Sequence, residues 1–397
     1  MSDALFFGDS VWSMLLFILF FFLYPRIYMM QIIWKLESDL KEIEYYYLAA
    51  KKVFLKKVKL KSAKYKEAVN NFLEFVIAFP VDIEPTNLVK KIEHILNRYE
   101  SRFEYFIEKV SSVKNKEELK NLKFTLISAT GLYQIFKILR HYIITIKKTN
   151  NLQLALLLQM TMPMLTKIAK ANMRATEAFA NGIPIGDGIG PIIAAKLKTK
   201  EGKEIAKEVV ISKEKFKNRE IYVMKAKGPG AALGKLGDAV EKAIKQYKIN
   251  HIITVDAAAK LEGEKTGSVA QGVGVMMGGI GVERHKIEDL AVKYNIPLDG
   301  VIVKMSPEEA SIHMKPEIYK AADKAIKQLE DLMSLADKKE RILIIGVGNT
   351  CGVGNKKRDL AETEKILKKT WKRIKKDKEW EDYFEKDTVK KKKWVFR

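Results

Sequence analysis

The feature that most constrains this chain is an uncharged apolar run near its N-terminus, residues 11–24. Together with the apolar residues just before it, the run reaches about 20 residues, which is one bilayer span. No basic segment precedes it and no small-residue cleavage site follows it, which argues against a cleaved signal peptide. Two aspartates precede the run, whereas Arg26, Lys35 and many further lysines follow it. The positive-inside rule therefore predicts a single-pass cell-membrane protein, with residues 1–25 as the anchor and residues 26–397 in the cytoplasm.

The charge balance favours polyanionic partners. The chain carries 72 basic against 49 acidic residues, a net charge of +23. Besides the lipid bilayer itself, the expected partners are anionic lipid head groups or nucleic acid. A lysine cluster that follows the predicted anchor either contacts anionic lipid or forms a solvated helix face: Lys51, Lys52, Lys56, Lys57 and Lys59. The single cysteine, Cys351, excludes a disulfide framework or a thiolate zinc cluster within one chain.

A shift in composition near residue 180 divides the remainder. Glycine is almost absent before Gly131 and frequent after Gly182. Residues 26–180 repeat their apolar positions with a period near 3.6, which predicts an all-helical domain. Its most apolar stretch, residues 152–165, is short for a second span, and we interpret it as a buried helix.

The second half alternates strand and helix. Runs of β-branched apolar residues predict strands at residues 208–211, 221–224, 252–255, 301–303 and 342–345. Helical stretches between most of them predict a mostly parallel sheet with helices on both faces. The predicted architecture is a membrane-anchored α plus α/β protein, with an α/β domain at residues 181–355 and a basic C-terminal helix and tail at residues 356–397.

Two aspartates stand where such sheets bind ligands. Asp256 ends a buried strand and is followed by small residues, and ligands bind at the C-terminal edge of open α/β sheets. Asp187 lies in a glycine-rich turn before a predicted helix, where Gly188 and Gly190 allow a sharp bend. The pair is either a catalytic acid and base or two acids that each cap a local turn.

Several glycine loops are candidates for the walls of this site. Residues Lys225, Lys227, Gly228 and Gly230 combine backbone donors with two amines, and Gly279 and Gly281 lie in a second loop. Neither residues 225–230 nor the glycine loop at residues 346–348 has the spacing of a P-loop or a dinucleotide fingerprint. Residues 188–197 also resemble the second half of a helix-hairpin-helix, which grips DNA phosphates.

The motifs at residues 187–191, Asp-Gly-Ile-Gly-Pro, and 255–257, Val-Asp-Ala, resemble the two acidic motifs of hydrogenase-maturation and spore-germination endopeptidases, in the same order. Residues 279–284 are similar to a glycine-rich loop of the germination enzymes, and residues 296–306 to the strand after it. In the maturation enzymes two acids and a later histidine bind a metal ion. The resemblance thus implies a divalent metal ion held by Asp187, Asp256 and His285.

The resemblance has one departure. Those families place a strand ending in Gly-x-Gly-Asn before the first acid, and here the nearest equivalent is residues 346–349, near the C-terminal end. The resemblance therefore implies a permuted domain. The whole chain also resembles an archaeal membrane-protein family of unknown function, which implies no activity.

Three functions follow from these patterns. The first is a membrane-anchored hydrolase, peptidase-like, that uses Asp187 and Asp256 as acid and base, with or without a metal ion. The second is a non-catalytic ligand-binding or scaffold protein. The third is a membrane tether for nucleic acid that uses the lysine-rich surface and tail.

Overall fold

A computed structural model describes residues 3–75, 87–217, 219–279, 281–337 and 340–376. Two parts of the sequence predictions lie outside these ranges: Ile280, between Gly279 and Gly281, and most of the basic tail, from residue 377 onward.

The first half of the chain is helical, as predicted. A single 56-residue helix, α1, runs from Asp3 to Val58 and passes through Pro25 without a break, so the predicted anchor and the start of the helical domain are one element. The other helices of this half are α2 (Tyr65–Leu73), α3 (Leu88–Val110), α4 (Lys116–Thr149) and α5 (Leu152–Ala180).

Helices α1, α4 and α5 pack against one another, and the buried part of α1 begins at Met29. Asn115 caps α4 by accepting hydrogen bonds from the amides of Glu117 and Glu118, and Asn151 caps α5 by accepting one from Leu154. Side chains such as Phe54, Leu132 and Leu158 fill the core between the helices. Burying such large apolar groups supplies most of the stability of a helical bundle.

Two of the described helices are long and apolar enough to cross a membrane: α1, over its Phe17–Val58 part, and α5. The interpretation of α5 as a buried helix holds for one face only. Leu158 and Met162 are buried, but Leu157, Met160 and Met164 are exposed.

The second half forms one seven-stranded sheet within the described residues, in the order β1-β2-β3-β7-β4-β6-β5. The strands are β1 (Lys203–Ala206), β2 (Val209–Phe216), β3 (Arg219–Ala226), β4 (His251–Ala259), β5 (Ser268–Val273), β6 (Leu298–Met305) and β7 (Ile342–Gly346). All five predicted strands are present.

The predicted mostly parallel sheet is wrong, because the sheet is mixed. Pairs β3–β7, β7–β4 and β4–β6 are parallel, whereas β1–β2, β2–β3 and β5–β6 are antiparallel. The sequence signal missed β1 and β5 because both are short or half-exposed strands at the sheet edges, without the apolar runs of the buried strands.

Helices cover both faces of the sheet, as predicted. On one face lie α6 (Ile189–Leu197), α10 (Pro316–Leu335) and α11 (Leu360–Ile374). On the other lie α7 (Leu236–Tyr247) and α8 (Val282–Tyr294). The short helix α9 (Pro307–Ser311) follows β6 and starts with a capping box between Ser306 and Glu309.

Candidate functional site

Asp256 lies in the C-terminal half of β4, between the parallel neighbours β7 and β6. Its surface is 3% exposed. Oδ1 accepts a hydrogen bond from the amide of Ala257 (2.6 Å), and Oδ2 accepts one from the amide of Gly278 (3.0 Å). The carboxyl group therefore ties the end of β4 to the glycine-rich loop that follows β5.

Asp187 reaches the same edge of the sheet from a 3-10 turn, Gly186–Gly188, that leads into α6. The turn fits because Gly190 packs closely against β4 and the loop after β7: a Cβ there would stand 2.1 Å from the carbonyl oxygen of Val347 and 2.5 Å from that of Val255. Glycine at this position therefore lets α6 begin directly against β4 and the loop after β7.

The loop after β7 also holds Asp187 directly. Gly348 has φ +127° and its missing Cβ leaves room for the carbonyl oxygen of Asp187. The next amide, that of Asn349, donates to Oδ2 of Asp187 (2.7 Å). Within the described chain, Oδ1 of Asp187 accepts no hydrogen bond, so this oxygen is the unused acceptor of the pair.

The two carboxyl groups influence each other electrostatically. Burial raises the pKa of Asp187 above its ordinary value, and the hydrogen bond from Asn349 opposes that rise. The pKa of Asp256 is raised well above its ordinary value, first by burial and second by the negative charge of Asp187. The two aspartates thus lie close enough to interact electrostatically, and burial disfavours the charged form of each.

Both aspartates line a cavity of about 840 Å³ between the two halves of the molecule. Its volume lies within the usual range for small-molecule sites. The α/β side of the wall includes Ala257, Met277, Gly278 and Val347. Helices α3 and α4 supply the opposite wall, with apolar side chains at Leu96, Tyr99, Phe124 and Ile127.

Ion pairs hold α3 across this cavity. Glu93 pairs with Lys286 of α8 (2.5 Å), and Glu100 lies 3.7 Å from Lys235, which directly precedes α7. The cavity thus belongs to both domains, and the helical domain closes the edge of the sheet where the acids lie.

The structure divides the predicted loop residues into two groups. Gly279 and Gly281 lie on the cavity wall, and Gly188 and Gly190 lie in the turn and helix that position Asp187. The predicted wall at residues 225–230 is not among the lining residues.

The four residues predicted from that segment, Lys225, Lys227, Gly228 and Gly230, lie outside the cavity. Lys225 is fully buried, and its Nζ donates to the carbonyl of Ala226 (2.8 Å) and to Oδ1 of Asn355 (3.1 Å). Lys227 forms a surface ion pair with Glu204 (2.8 Å). Gly228 and Gly230 serve close packing, because a Cβ would approach the Val353 carbonyl at the first and the start of α4 at the second.

His285 does not join the aspartates. It lies on α8 with its side chain 48% exposed, and its Nε2 is 3.1 Å from Asp289. Within residues 3–75, 87–217, 219–279, 281–337 and 340–376, no group of three or more His, Cys, Asp or Glu side chains is placed to hold a metal ion. The predicted three-ligand set of Asp187, Asp256 and His285 is therefore not assembled, because His285 is exposed on α8 and does not line the cavity with the acids.

The sequence patterns missed the contribution of the helical domain. Leu96, Tyr99 and Phe124 read as ordinary apolar positions of amphipathic helices, and no local signal separates a cavity-lining position from a core position. The role of Asn349 was hinted at by its Gly-x-Gly-Asn motif, which lies 162 residues from Asp187 in sequence.

Known families account for most of the chain. A model described as "Protein of unknown function (DUF1512) N-terminal domain" matches residues 10–182, and one described as "Domain of unknown function (DUF1512) C-terminal" matches residues 185–354. No curated protein and no solved structure matches the chain. The two matches meet next to the turn that carries Asp187, so the cavity lies between the two family domains. The chain belongs to the DUF1512 family and contains both of its domains.

Proposed function

We propose that this protein is a membrane-anchored hydrolase, peptidase-like in its chemistry, that uses Asp187 and Asp256 as a paired acid and base. The observation that carries the proposal is that both carboxyl groups line one cavity, where burial and the charge of Asp187 raise the pKa of Asp256. Two adjacent carboxyl groups that resist double ionisation share one proton. The ionised member then takes a proton from water, and the protonated member donates one to the substrate.

The free acceptor Oδ1 suits Asp187 for the role of base. Both oxygens of Asp256 accept backbone hydrogen bonds, whereas Asp187 accepts only one. The apolar wall from α3 and α4 supports a substrate with apolar groups beside the scissile bond, since such walls exclude water from the reacting atoms.

The resemblance to the maturation and germination endopeptidases gives independent support. The permuted arrangement that it implies requires the Gly-x-Gly-Asn loop to lie beside the first acid. Gly348 and Asn349 do lie against Asp187, although they are far from it in sequence.

The proposed topology places the catalytic cavity in the cytoplasm. The apolar start of α1 supports an anchor, and Arg26 and Lys35 follow it, which favours a cytoplasmic location for the rest of the chain. Protease treatment of sealed, right-side-out vesicles should leave the α/β domain intact. Its rapid loss under those conditions would contradict this orientation.

A non-catalytic ligand-binding or scaffold protein is the second candidate, and the hydrogen bonds of Asp256 favour it. Its two oxygens join β4 to the loop at Gly278, which is a structural task that needs no catalysis. The tether for nucleic acid stays a prediction from charge.

The experiment that separates the first two candidates uses the full chain in detergent with a panel of internally quenched peptides and activated esters. We expect turnover that Asp187→Asn and Asp256→Asn abolish. The matched control is Glu283→Gln, which changes a half-buried carboxyl of the same cavity and should retain turnover.

The pH profile adds a second readout. Because both pKa values are raised, the singly protonated pair should persist at a pH where ordinary carboxyl groups are fully ionised, and turnover should fall when the shared proton is lost. Turnover that survives Asp187→Asn would refute the hydrolase proposal. Saturable binding without turnover would favour the ligand-binding candidate.

A further inference from the structure

The turn between α4 and α5 lies beside α1 close to the predicted membrane surface. Helix α4 runs antiparallel to α1, because the ring of Tyr133 contacts that of Tyr47 (4.8 Å between centroids) while Lys147 pairs with Glu37. The turn at residues 150–151 comes about 5 Å beyond Lys147 at the helical rise of about 1.5 Å per residue. That distance places the turn at the level of Trp34 on α1.

The helical rise per residue also gives the distance between Trp34 and the bilayer along α1. A span of about 20 residues that begins after Asp9 ends near Met29, so Arg26 lies in its last turn, from which a long arginine side chain can extend to the head groups. The head-group layer beyond the hydrocarbon is about 5–8 Å thick, which corresponds to the next few residues of α1, up to about Trp34. Because α1 is a single helix through Pro25, the end of the helical bundle is held at this layer.

The side chains at this level suit a membrane interface. Met30 and Trp34 lie one helical turn apart and are 69% and 73% exposed. Exposed tryptophan is typical of the boundary between hydrocarbon and water. In the chain, Lys35 comes next, so the apolar face ends where charges begin.

Basic groups outnumber acidic groups around the turn. Lys147 and Lys148 end α4, and Arg26 and Lys35 flank the exposed face of α1. The acidic groups there are Glu37, paired with Lys147, and Asp39, paired with Lys35. Lys148 is exposed and available for a phosphate head group.

We propose that the α4–α5 turn and the Met30 and Trp34 face of α1 form a second membrane contact, which docks the helical bundle end-on against anionic lipid head groups. This contact replaces the lysines at residues 51–59 as the lipid-binding surface. Lys51 lies about 33 Å beyond Met29 along α1, outside the reach of a head-group layer. The proposal rests on α1 crossing the bilayer and is independent of the hydrolase proposal.

The contact can be tested with single-cysteine reporters in the full chain, reconstituted into vesicles that contain anionic lipid. The native Cys351 is completely buried, so an introduced cysteine is labelled selectively. An environment-sensitive fluorophore is placed at Asn150→Cys in the turn, at Phe20→Cys in the predicted span, and at Val292→Cys on α8. Val292 is 83% exposed and serves as the reporter on the α/β domain.

Quenching by lipid-attached nitroxides reports the depth of each label. We expect a head-group nitroxide to quench the Asn150 label strongly and the Val292 label hardly at all, and an acyl-chain nitroxide to quench the Phe20 label. Quenching at Phe20 with none at Asn150 would overturn the docking surface and leave the span intact. Absence of quenching at Phe20 would overturn the span, and the docking proposal with it.

A separate experiment tests whether the proposed contact prefers anionic head groups. Lys148→Glu should reduce quenching of the Asn150 label, because it reverses a charge at the head-group layer. The matched control is Lys293→Glu, another exposed lysine in the last turn of a helix, which should leave quenching unchanged. Equal quenching in neutral and anionic vesicles would overturn the preference for anionic head groups.

Discussion

Lys225 offers a quantitative test of the packing behind the sheet edge. It lies in β3, completely buried, and donates hydrogen bonds to the Ala226 carbonyl and to Asn355. Burial first, and the positive charge of Lys198 second, lower the pKa of the Lys225 amine from 10.5 to about 7. The perturbation we consider is Lys225→Met, which keeps a long flexible side chain and removes the titrating group.

The direction in which pH changes the folding stability follows from the linkage between proton binding and folding. Because the pKa is lower in the folded than in the unfolded state, the unfolded chain takes up the proton first as the pH falls, and folding stability decreases over that range. Each unit of pKa difference is worth about 1.36 kcal/mol, so the full penalty below about pH 7 is about 5 kcal/mol. Between about pH 9 and about pH 7 the stability attributable to Lys225 falls by about 2 kcal/mol.

The variant should lose this dependence. Removing the two hydrogen bonds costs about 1 kcal/mol each at any pH. Because only the wild type loses the stability linked to the Lys225 amine, the variant becomes more stable relative to the wild type as the pH falls. The free energy of unfolding can be measured by urea titration of the full chain in detergent, with Trp371 of α11 as the only tryptophan after replacement of the others by phenylalanine. The stability difference between variant and wild type should change by about 2 kcal/mol between about pH 9 and about pH 7.

Lys227→Met is the matched control, because Lys227 is an exposed lysine paired with Glu204 and its pKa is raised, so it stays charged over this range. Its stability difference from the wild type should not depend on pH. Parallel pH curves for Lys225→Met and the wild type would refute the reasoning, since they would mean that the buried amine does not titrate with a lowered pKa.

Two further predictions concern the site itself. Since both pKa values are raised, the carboxyl groups of Asp187 and Asp256 favour the folded state at low pH, and that contribution is lost as the pH rises above 3.8. Asp187→Asn should lower the pKa of Asp256 and so weaken the fall in the urea midpoint between about pH 4 and about pH 7. An unchanged fall would contradict the interaction between the two carboxyl groups. Gly190→Ala should destabilise the fold by about 1–3 kcal/mol or more through contact with the Val347 carbonyl, whereas Gly131→Ala, inside α4 with open space around it, should stabilise by about 1 kcal/mol. Equal thermal midpoints for these two glycine variants would show that the close approach at α6 is not under steric constraint.

Local patterns in the sequence determined several features of this protein. The length of the apolar run in α1 and the β-branched runs of the buried strands are properties of neighbouring residues, so they predict elements without any knowledge of packing. The position of Asp256 at the end of such a run likewise placed it at the C-terminal edge of a sheet, and the glycines around Asp187 indicated a close approach of backbone.

The tertiary structure alone decided which of these pieces meet. Asn349 reaches Asp187 across 162 residues of sequence, and Lys147 reaches Glu37 across 110. The antiparallel edges of the sheet, the wall that α3 and α4 add to the cavity, and the position of the α4–α5 turn beside α1 all depend on such contacts. The physical reason is that a helix or strand is specified by the spacing of adjacent side chains, whereas a site is specified by how the buried faces of distant elements pack.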